Sequence, residues 1–320
     1  MPRTRPERRP RSADPRRVRR VIETLEPFRV ELTGYCYRVL GSGSEAEDAV
    51  QETLVRAWKA YDSYDSARAS LRTWLYRIAT NICVDMLRSA QRRALAVDLG
   101  PSGGEIGAPL LENVFVQPVP DALVLPEDRA ILRETVRLAF VAALQHLPAR
   151  QRVVLILRDV LAWQAAEVAS LLEISVASAN SALQRARATL RLVDAGDAVD
   201  PVDPAQKSLL SRYCEAFERH DVETMVSLLH EDATMSMPPF GWWLRGRESL
   251  SLALRDPGAS CAGAWLVPVR ANGSPAFWQM RPGMEQPFGL VFLDVRDGAV
   301  AGITTFLNVE EFLPLFGEGE

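Results

Sequence analysis

Apolar positions divide this chain into three blocks, two with a helical period and a third that passes from helices to strands. From about Val18 to Arg93 they recur at three- and four-residue steps over Arg19–Leu40, Ser44–Tyr61 and Ser70–Arg93, with G-S-G-S and D-S-Y-D-S turn chemistry between. In the second of these helices Ala46, Ala49, Val50, Thr53, Leu54, Ala57 and Trp58 form a core face. Ser44 and Glu47 have the S-x-x-E spacing of a capping box at its start. Asp48, Gln51, Glu52, Arg56 and Lys59 share another face, which periodicity alone reads as the solvated side of an amphipathic helix. The second block, about Glu127 to Leu192, ends in a short helix (Trp163–Leu172), a turn at Glu173-Ile174 and a longer helix capped by Ser175. That last helix buries Val176, Ala179, Leu183, Ala186 and Leu190, so the pattern predicts a helix-turn-helix.

The third block, from about Pro204, opens with helix patterns at Gln206–Arg219, Asp221–Leu229 and Arg247–Leu254. Strand-like runs follow at Ala264–Ala271, Pro275–Arg281, Phe288–Arg296 and Ala299–Leu307. Asn272-Gly273 and Asp297-Gly298 suit the positive φ of two-residue hairpin turns, so an α+β domain with an antiparallel meander is expected. The predicted organisation is a disordered basic arm (1–17), a helical domain (18–93), an acidic linker (94–126), the helix-turn-helix domain (127–193), a second linker (194–203) and the α+β domain (204–320).

Bulk charge changes this picture only once it is resolved along the chain. The net charge is −4, yet residues 1–20 hold nine arginines, while Ala94 to Asp128 holds six carboxylates and no basic residue. The length of 320 residues suits two or three domains. Four dispersed cysteines with no C-x-x-C pair, and three histidines, argue against a zinc site or a disulfide framework, and no metal or cofactor is expected. The arginine-rich start lacks the apolar run of a signal peptide, and no segment reaches the roughly 18 apolar residues of a membrane span. A cytoplasmic protein without membrane association is the expectation.

Candidate chemistry concentrates on two helices. In Ser70–Arg93, Leu71, Trp74, Leu75, Ile78, Ile82 and Met86 step as a core, while Arg72, Arg77, Arg88, Arg92 and Arg93 supply phosphate-directed charge. Trp74 and Tyr76 either stack on an unpaired base or fill the core, and Asn81 has the donor and acceptor a base edge requires. On the last helix of the second block, Ser175, Ser178, Ser181, Gln184 and Arg185 face outward with Arg187 beside them, which suits entry into a major groove. A helix-turn-helix by itself is common to many DNA-binding proteins.

The motif D-A-V-Q-E-T-x-x-x-A-W (Asp48–Trp58) resembles the second conserved region of bacterial RNA polymerase sigma factors. T-W-L-Y-R-I-A-x-N-x-x-x-D-x-x-R (Thr73–Arg88) and L-P-A-R-Q-R-V-V-L-I-L-R (Leu147–Arg158) resemble two further segments of that family, in the family's order. With no intervening extras, the arrangement is similar to the compact extracytoplasmic-function group. The resemblance implies two all-α domains, a region 2 helical bundle and a region 4 helix-turn-helix, with core RNA polymerase (clamp and flap) and promoter DNA as partners. It assigns Asp48, Gln51, Glu52 and Arg56 to the clamp, and Arg72, Trp74, Arg77, Asn81, Asp85 and Arg88 to the upstream melted element. Ser175, Ser178, Ser181, Gln184, Arg185 and Arg187 fall to the minus-thirty-five element. The acidic linker is either a channel-threading segment, as in the family, or a plain tether. Related sequences often carry glycine where Glu173 stands.

His220–Pro239, Trp243–Glu248 and Asp297–Leu307 resemble the SnoaL-like cystatin fold, a cone of helices and curved sheet around a pocket. Enzymes of that fold use a pocket carboxylate as general base. His230, Asp232, Glu248 and Asp294 form no paired arrangement, so no catalytic residue is assigned and the chain is not expected to be an enzyme. Trp242, Trp243, Trp265, Phe277, Trp278, Phe288 and Phe292 either line a pocket for a small hydrophobic ligand or serve as core. The combined expectation is a sigma factor whose last domain regulates it in cis. The alternatives are a non-sigma helix-turn-helix regulator and a SnoaL-type isomerase or cyclase fused to a DNA-binding module.

Overall fold

The computed structural model describes residues 15–88, 93–110, 114–126, 132–191, 204–256 and 261–317. Most of the expected basic arm and all of the 194–203 linker lie outside the described residues. Where a single helix was predicted over 19–40 there are two, α1 (Pro15–Leu25) and α2 (Arg29–Leu40). Pro27 sits in the 3-10 turn between them, because a proline removes a helical N–H and crowds the preceding turn. Helices α3 (Gly43–Ala60) and α4 (Leu71–Leu87) complete the first bundle. The cap of α3 is Ser42 rather than Ser44: its side chain accepts from the Glu45 N–H at 3.3 Å, and its hydroxyl also reaches Gln117 Oε1 at 2.5 Å. The two serines of G-S-G-S are equivalent to a pattern reading, and burial of Ser42 decides between them. Ser70 caps α4 by accepting from the Thr73 N–H at 3.1 Å.

Helix α2 is buried over every residue from Leu32 to Leu40, which makes it the central element of the helical region. After α5 (Asp121–Val124), helices α6 (Leu138–Gln145), α7 (Ala149–Leu155), α8 (Ala165–Leu172) and α9 (Val176–Leu190) form the second block, with a π-turn at Ile156–Val160. Two buried arginines bind the helical blocks together. Arg38 of α2 donates to the Thr135 hydroxyl at 2.8 Å and to the Gly34 carbonyl at 2.6 Å. Burial without a carboxylate within ion-pairing distance among the described residues brings its pKa down to about 10. Arg152 of α7 donates to the Val39 carbonyl of α2 and, at 2.6 Å, to Gln145 Oε1.

The α+β region contains α10 (Pro204–Glu218), α11 (Val222–Ser227), β1 (Leu229–Ser236), β2 (Trp243–Arg245), α12 (Arg247–Arg255), β3 (Trp265–Ala271), β4 (Ser274–Met280), β5 (Gly289–Arg296) and β6 (Ala299–Phe306). The sheet order is β2-β1-β6-β5-β4-β3. The expected meander of β3 to β6 is present, but it is extended by β1 and β2, and β1 runs parallel to β6. Both predicted turns adopt positive φ, Asn272 at 51° with Gly273 at 58°, and Asp297 at 52° with Gly298 at 71°.

Strand alternation sends the sheet's side chains into two cores. Phe277, Val291, Leu293 and Ile303 pack with Tyr213, Met225 and Leu250 of the domain's own helices. Trp278, Leu290, Phe292 and Phe306 face the other way, join Phe312 and Phe316, and merge with the core of the helical blocks. The 94–126 segment is bound along much of its length. Val116, Val119 and Val124 are buried, and residues 100–110 lie across the β1–β2 connection. There the Trp242 and Trp243 indoles donate to the Gly104 and Gly100 carbonyls, and the Leu110 N–H donates to the Pro239 carbonyl.

Candidate nucleic-acid interface

The α3 face comes first in the chain. Asp48, Gln51, Glu52 and Arg56 are all exposed on one side of the helix, because spacings of three and four residues place them over one another. Arg56 bonds Glu52 at 2.6 Å, and with the exposed Asp48 and Gln51 beside them the face presents a polar, net acidic strip.

The six α4 candidates separate into two sets. Asn81, Asp85 and Arg88 are exposed at the C-terminal half, with Arg88 and Asp85 paired at 3.1 Å. Arg72, Trp74 and Arg77 are partly buried. Arg93, expected to face phosphate, is instead buried in an ion pair with Glu45 at 2.7 Å, while Arg92 lies outside the described residues. Arg72 bonds Glu31 of α2 at 2.5 Å. Its guanidinium also lies 5.2 Å from the Tyr76 ring centre and 5.1 Å from that of Trp163, which belongs to the turn before α8. Trp74 packs on Tyr64 with ring centres 5.1 Å apart. Tyr76, read from sequence as a stacking or core residue, is core: it is fully buried between Tyr35 and Trp163, and burial pushes its phenol pKa well up. The helix-turn-helix of the second block thus covers the first half of α4.

Helix α9 projects Ser178, Ser181, Gln184 and Arg185 into solvent and carries no acidic residue. Ser175 accepts from the Ser178 N–H at 3.1 Å and so fixes the start of the helix. Arg187 forms a two-pronged pair with Asp159 at 2.7 and 2.8 Å. Asn180 is exposed beside Ser181; the sequence reading passed over it, although the buried positions Ala179, Ala182, Leu183 and Ala186 already assign it to the outer face. Glu173 takes up the left-handed conformation of the turn, with φ 54° and ψ 43°.

A third cluster joins the sheet to the helices. Asn272, at the β3–β4 tip, is completely buried. Its Oδ1 accepts from the Val119 N–H at 2.9 Å, and its amide donates to the Tyr37 hydroxyl at 2.6 Å and the Val136 carbonyl at 2.8 Å. The Gly273 N–H donates to Asp121 at 2.7 Å, and a Cβ on Gly273 would stand 2.6 Å from the Arg133 carbonyl oxygen. Arg137 adds an ion pair to Asp294 at 3.2 Å.

The candidate acids and bases of the α+β domain do not converge. His230 Nδ1 accepts from the Asp232 N–H, Asp232 lies 4.0 Å from Arg245, and Asp294 is paired across the domain boundary. The aromatic set is divided as well: Phe277 faces one core, Trp278 and Phe292 the other, Trp265 is exposed, and Phe288 lies under Arg281. Among the described residues no cluster of three His, Cys, Asp or Glu side chains could hold a metal, and no helix is long and apolar enough to cross a membrane.

Family comparisons agree with this layout. Residues 25–93 match the model of Sigma-70 region 2, and residues 137–190 match that of Sigma-70 region 4. The ECF RNA polymerase sigma factor SigG of Mycobacterium tuberculosis (H37Rv) is 43% identical over 305 residues, spanning 91% of this chain and 82% of that protein. SigJ of the same organism is 33% identical over 215 residues, 67% of this chain and 64% of its own length. The crystal structure of the M. tuberculosis extracytoplasmic function sigma factor SigJ superposes with a TM-score of 0.62 at 26% identity, covering 91% of this chain and 98% of that one. Carrying regions 2 and 4 in order ahead of an α+β domain, the chain belongs to the extracytoplasmic-function RNA polymerase sigma factors, transcription-initiation proteins that bind core polymerase and promoter DNA.

Proposed function

We propose that the C-terminal domain restrains this sigma factor in cis, by clamping regions 2 and 4 in an arrangement that hides half of the promoter-reading helix. The buried Asn272 tip carries the reading. It bonds α2 through Tyr37, the linker through Val119 and the lead into α6 through Val136, so one side chain fixes three segments of the sigma core. In the same arrangement Trp163 packs on Arg72, and the tryptophan pair holds residues 100–110 of the linker against the sheet. Release of the hairpin would free all three together.

Within the released protein, Asp48, Gln51, Glu52 and Arg56 contact the polymerase clamp, and the α7 segment meets the flap. Asn81, Asp85 and Arg88, joined by Arg72, Trp74 and Arg77, read the melted upstream element. The Ser175–Arg187 face of α9 reads the minus-thirty-five element. The exposure of the first and last sets, and the partial burial of the middle one, support this division.

The test is binding of labelled full-length protein to core RNA polymerase. The triple change Asp48→Ala/Gln51→Ala/Glu52→Ala should weaken binding about tenfold or more, equivalent to about 1.4 kcal/mol. Asn272→Ala should strengthen binding and raise promoter-directed transcription. If Asn272→Ala lowers thermal stability but leaves both readouts unchanged, the hairpin is structural and the restraint reading fails.

A further inference from the structure

We infer a binding site for a small monocarboxylate in the crevice between the β3–β4 hairpin, α10 and the segment preceding α6. The crevice has a volume of about 220 Å³ and is lined by Asp121, Arg133, Gln206, Leu210, Arg270 and Phe277 among others. Gln206 identifies it as more than a packing gap. The side chain is only 5% exposed, and among the described residues neither its Oε1 nor its Nε2 has a hydrogen-bond partner. A buried amide offers two donor hydrogens and an acceptor oxygen, and leaving all of them idle is unfavourable unless something else occupies the site.

The surroundings define the chemistry of that occupant. Arg133 and Arg270 form no ion pair among the described residues, and they oppose one carboxyl, that of Asp121. One oxygen of that carboxyl is engaged by the Gly273 N–H at 2.7 Å. Two guanidinium groups against one carboxyl leave an excess of one positive charge, which a singly charged anion neutralises. Leu210 and Phe277 supply an apolar wall. The volume is below the roughly 300–1,000 Å³ of pockets for drug-sized ligands, so the guest is a small metabolite. A carboxylate for the arginines, an amide or hydroxyl for Gln206 and a short apolar body satisfy every wall. This site is separate from the interior of the helix-and-sheet cone, which Tyr213, Leu250 and Leu293 help to fill.

Gln206 and Arg270 belong to the C-terminal domain, Asp121 and Arg133 to the sigma portion, so a bound carboxylate bridges the two. It would therefore favour the restrained form, a consequence that rests on the restraint reading, whereas binding itself does not.

The test uses the full chain with hippurate (N-benzoylglycine) as probe and its neutral amide, hippuramide, and inorganic phosphate as comparisons, followed by calorimetry. Hippurate should bind with 1:1 stoichiometry, and both comparison compounds at least about tenfold more weakly. Gln206→Leu and Arg270→Gln should each weaken hippurate about tenfold or more, with the unliganded melting temperature retained in the exposed Arg270→Gln variant. No heat at about 10 mM hippurate, equal binding of hippuramide or phosphate, or unchanged binding by both variants would each overturn the site. Hippurate should also lower core-polymerase affinity of the natural chain but not of Arg270→Gln. Binding as described without that change would uphold the site and overturn only its link to restraint.

Discussion

Two buried amides behave oppositely, and the contrast shows how single residues set the character of the domain junction. Asn272 uses its oxygen and both amide hydrogens on three partners, so it fixes the position of every segment it touches. Gln206 is nearly as buried, and its side chain bonds to none of the described residues. An unsatisfied buried polar group costs about 1–3 kcal/mol, whereas an apolar group of similar shape carries no such penalty. Gln206→Leu is accordingly expected to raise the unliganded protein's stability by about 1 kcal/mol, read from chemical denaturation of the full chain. A loss of stability would mean that the amide has partners after all. Arg38 stands between these cases: its charge is met by carbonyls and a hydroxyl rather than a carboxylate, and its pKa falls to about 10 in consequence.

At the scale of elements, the region 4 turn carries local backbone strain. Glu173 occupies the left-handed region that costs an L-residue roughly 1–2 kcal/mol, and glycine reaches it freely while losing more entropy on folding. Glu173→Gly should therefore stabilise the helix-turn-helix by up to about 1 kcal/mol without altering DNA preference, as thermal melts and promoter binding would report. The strain was visible in the sequence, because the turn was bounded by two well-patterned helices. The α3 and α9 helices were equally legible, because their apolar steps and polar outer faces are properties of the segment itself, although Val176, expected on the buried face of α9, is exposed in its first turn. Other features depend on distant partners and left no local trace. β1, LHEDATMS, has only Leu229, Ala233 and Ser236 buried, an irregular pattern that hides a strand paired with β6 some seventy residues later. The inward turn of Arg72 depends on Trp163, and the docking of residues 100–110 depends on Trp242 and Trp243. A segment without periodicity reads as a tether until the surface that receives it is known.

At the scale of the whole molecule, the proposed restraint depends on a junction that contains a titrating group. Asp121 is 7% exposed, and burial raises its pKa above the ordinary 3.8 despite the Gly273 N–H and the nearby Arg270 and Arg133, which act the other way. In the folded, joined state the carboxyl therefore keeps its proton to a higher pH than in the unfolded chain. Between 3.8 and the raised value the folded state binds more protons, so this group's contribution is fully present below 3.8 and is lost as pH rises through the folded pKa. Mild acidification should tighten the association of the C-terminal domain with the sigma core, and neutral pH should loosen it. Asp121→Asn retains an oxygen for the Gly273 N–H but cannot ionise, so it should remove this contribution while keeping the hairpin seated. The expected result is a melting temperature of the natural chain that falls relative to Asp121→Asn as pH rises through this window, with core-polymerase affinity rising in parallel. Identical pH profiles for the two proteins would remove Asp121 from the control of the junction and leave Asn272 and the Arg137–Asp294 pair to hold it.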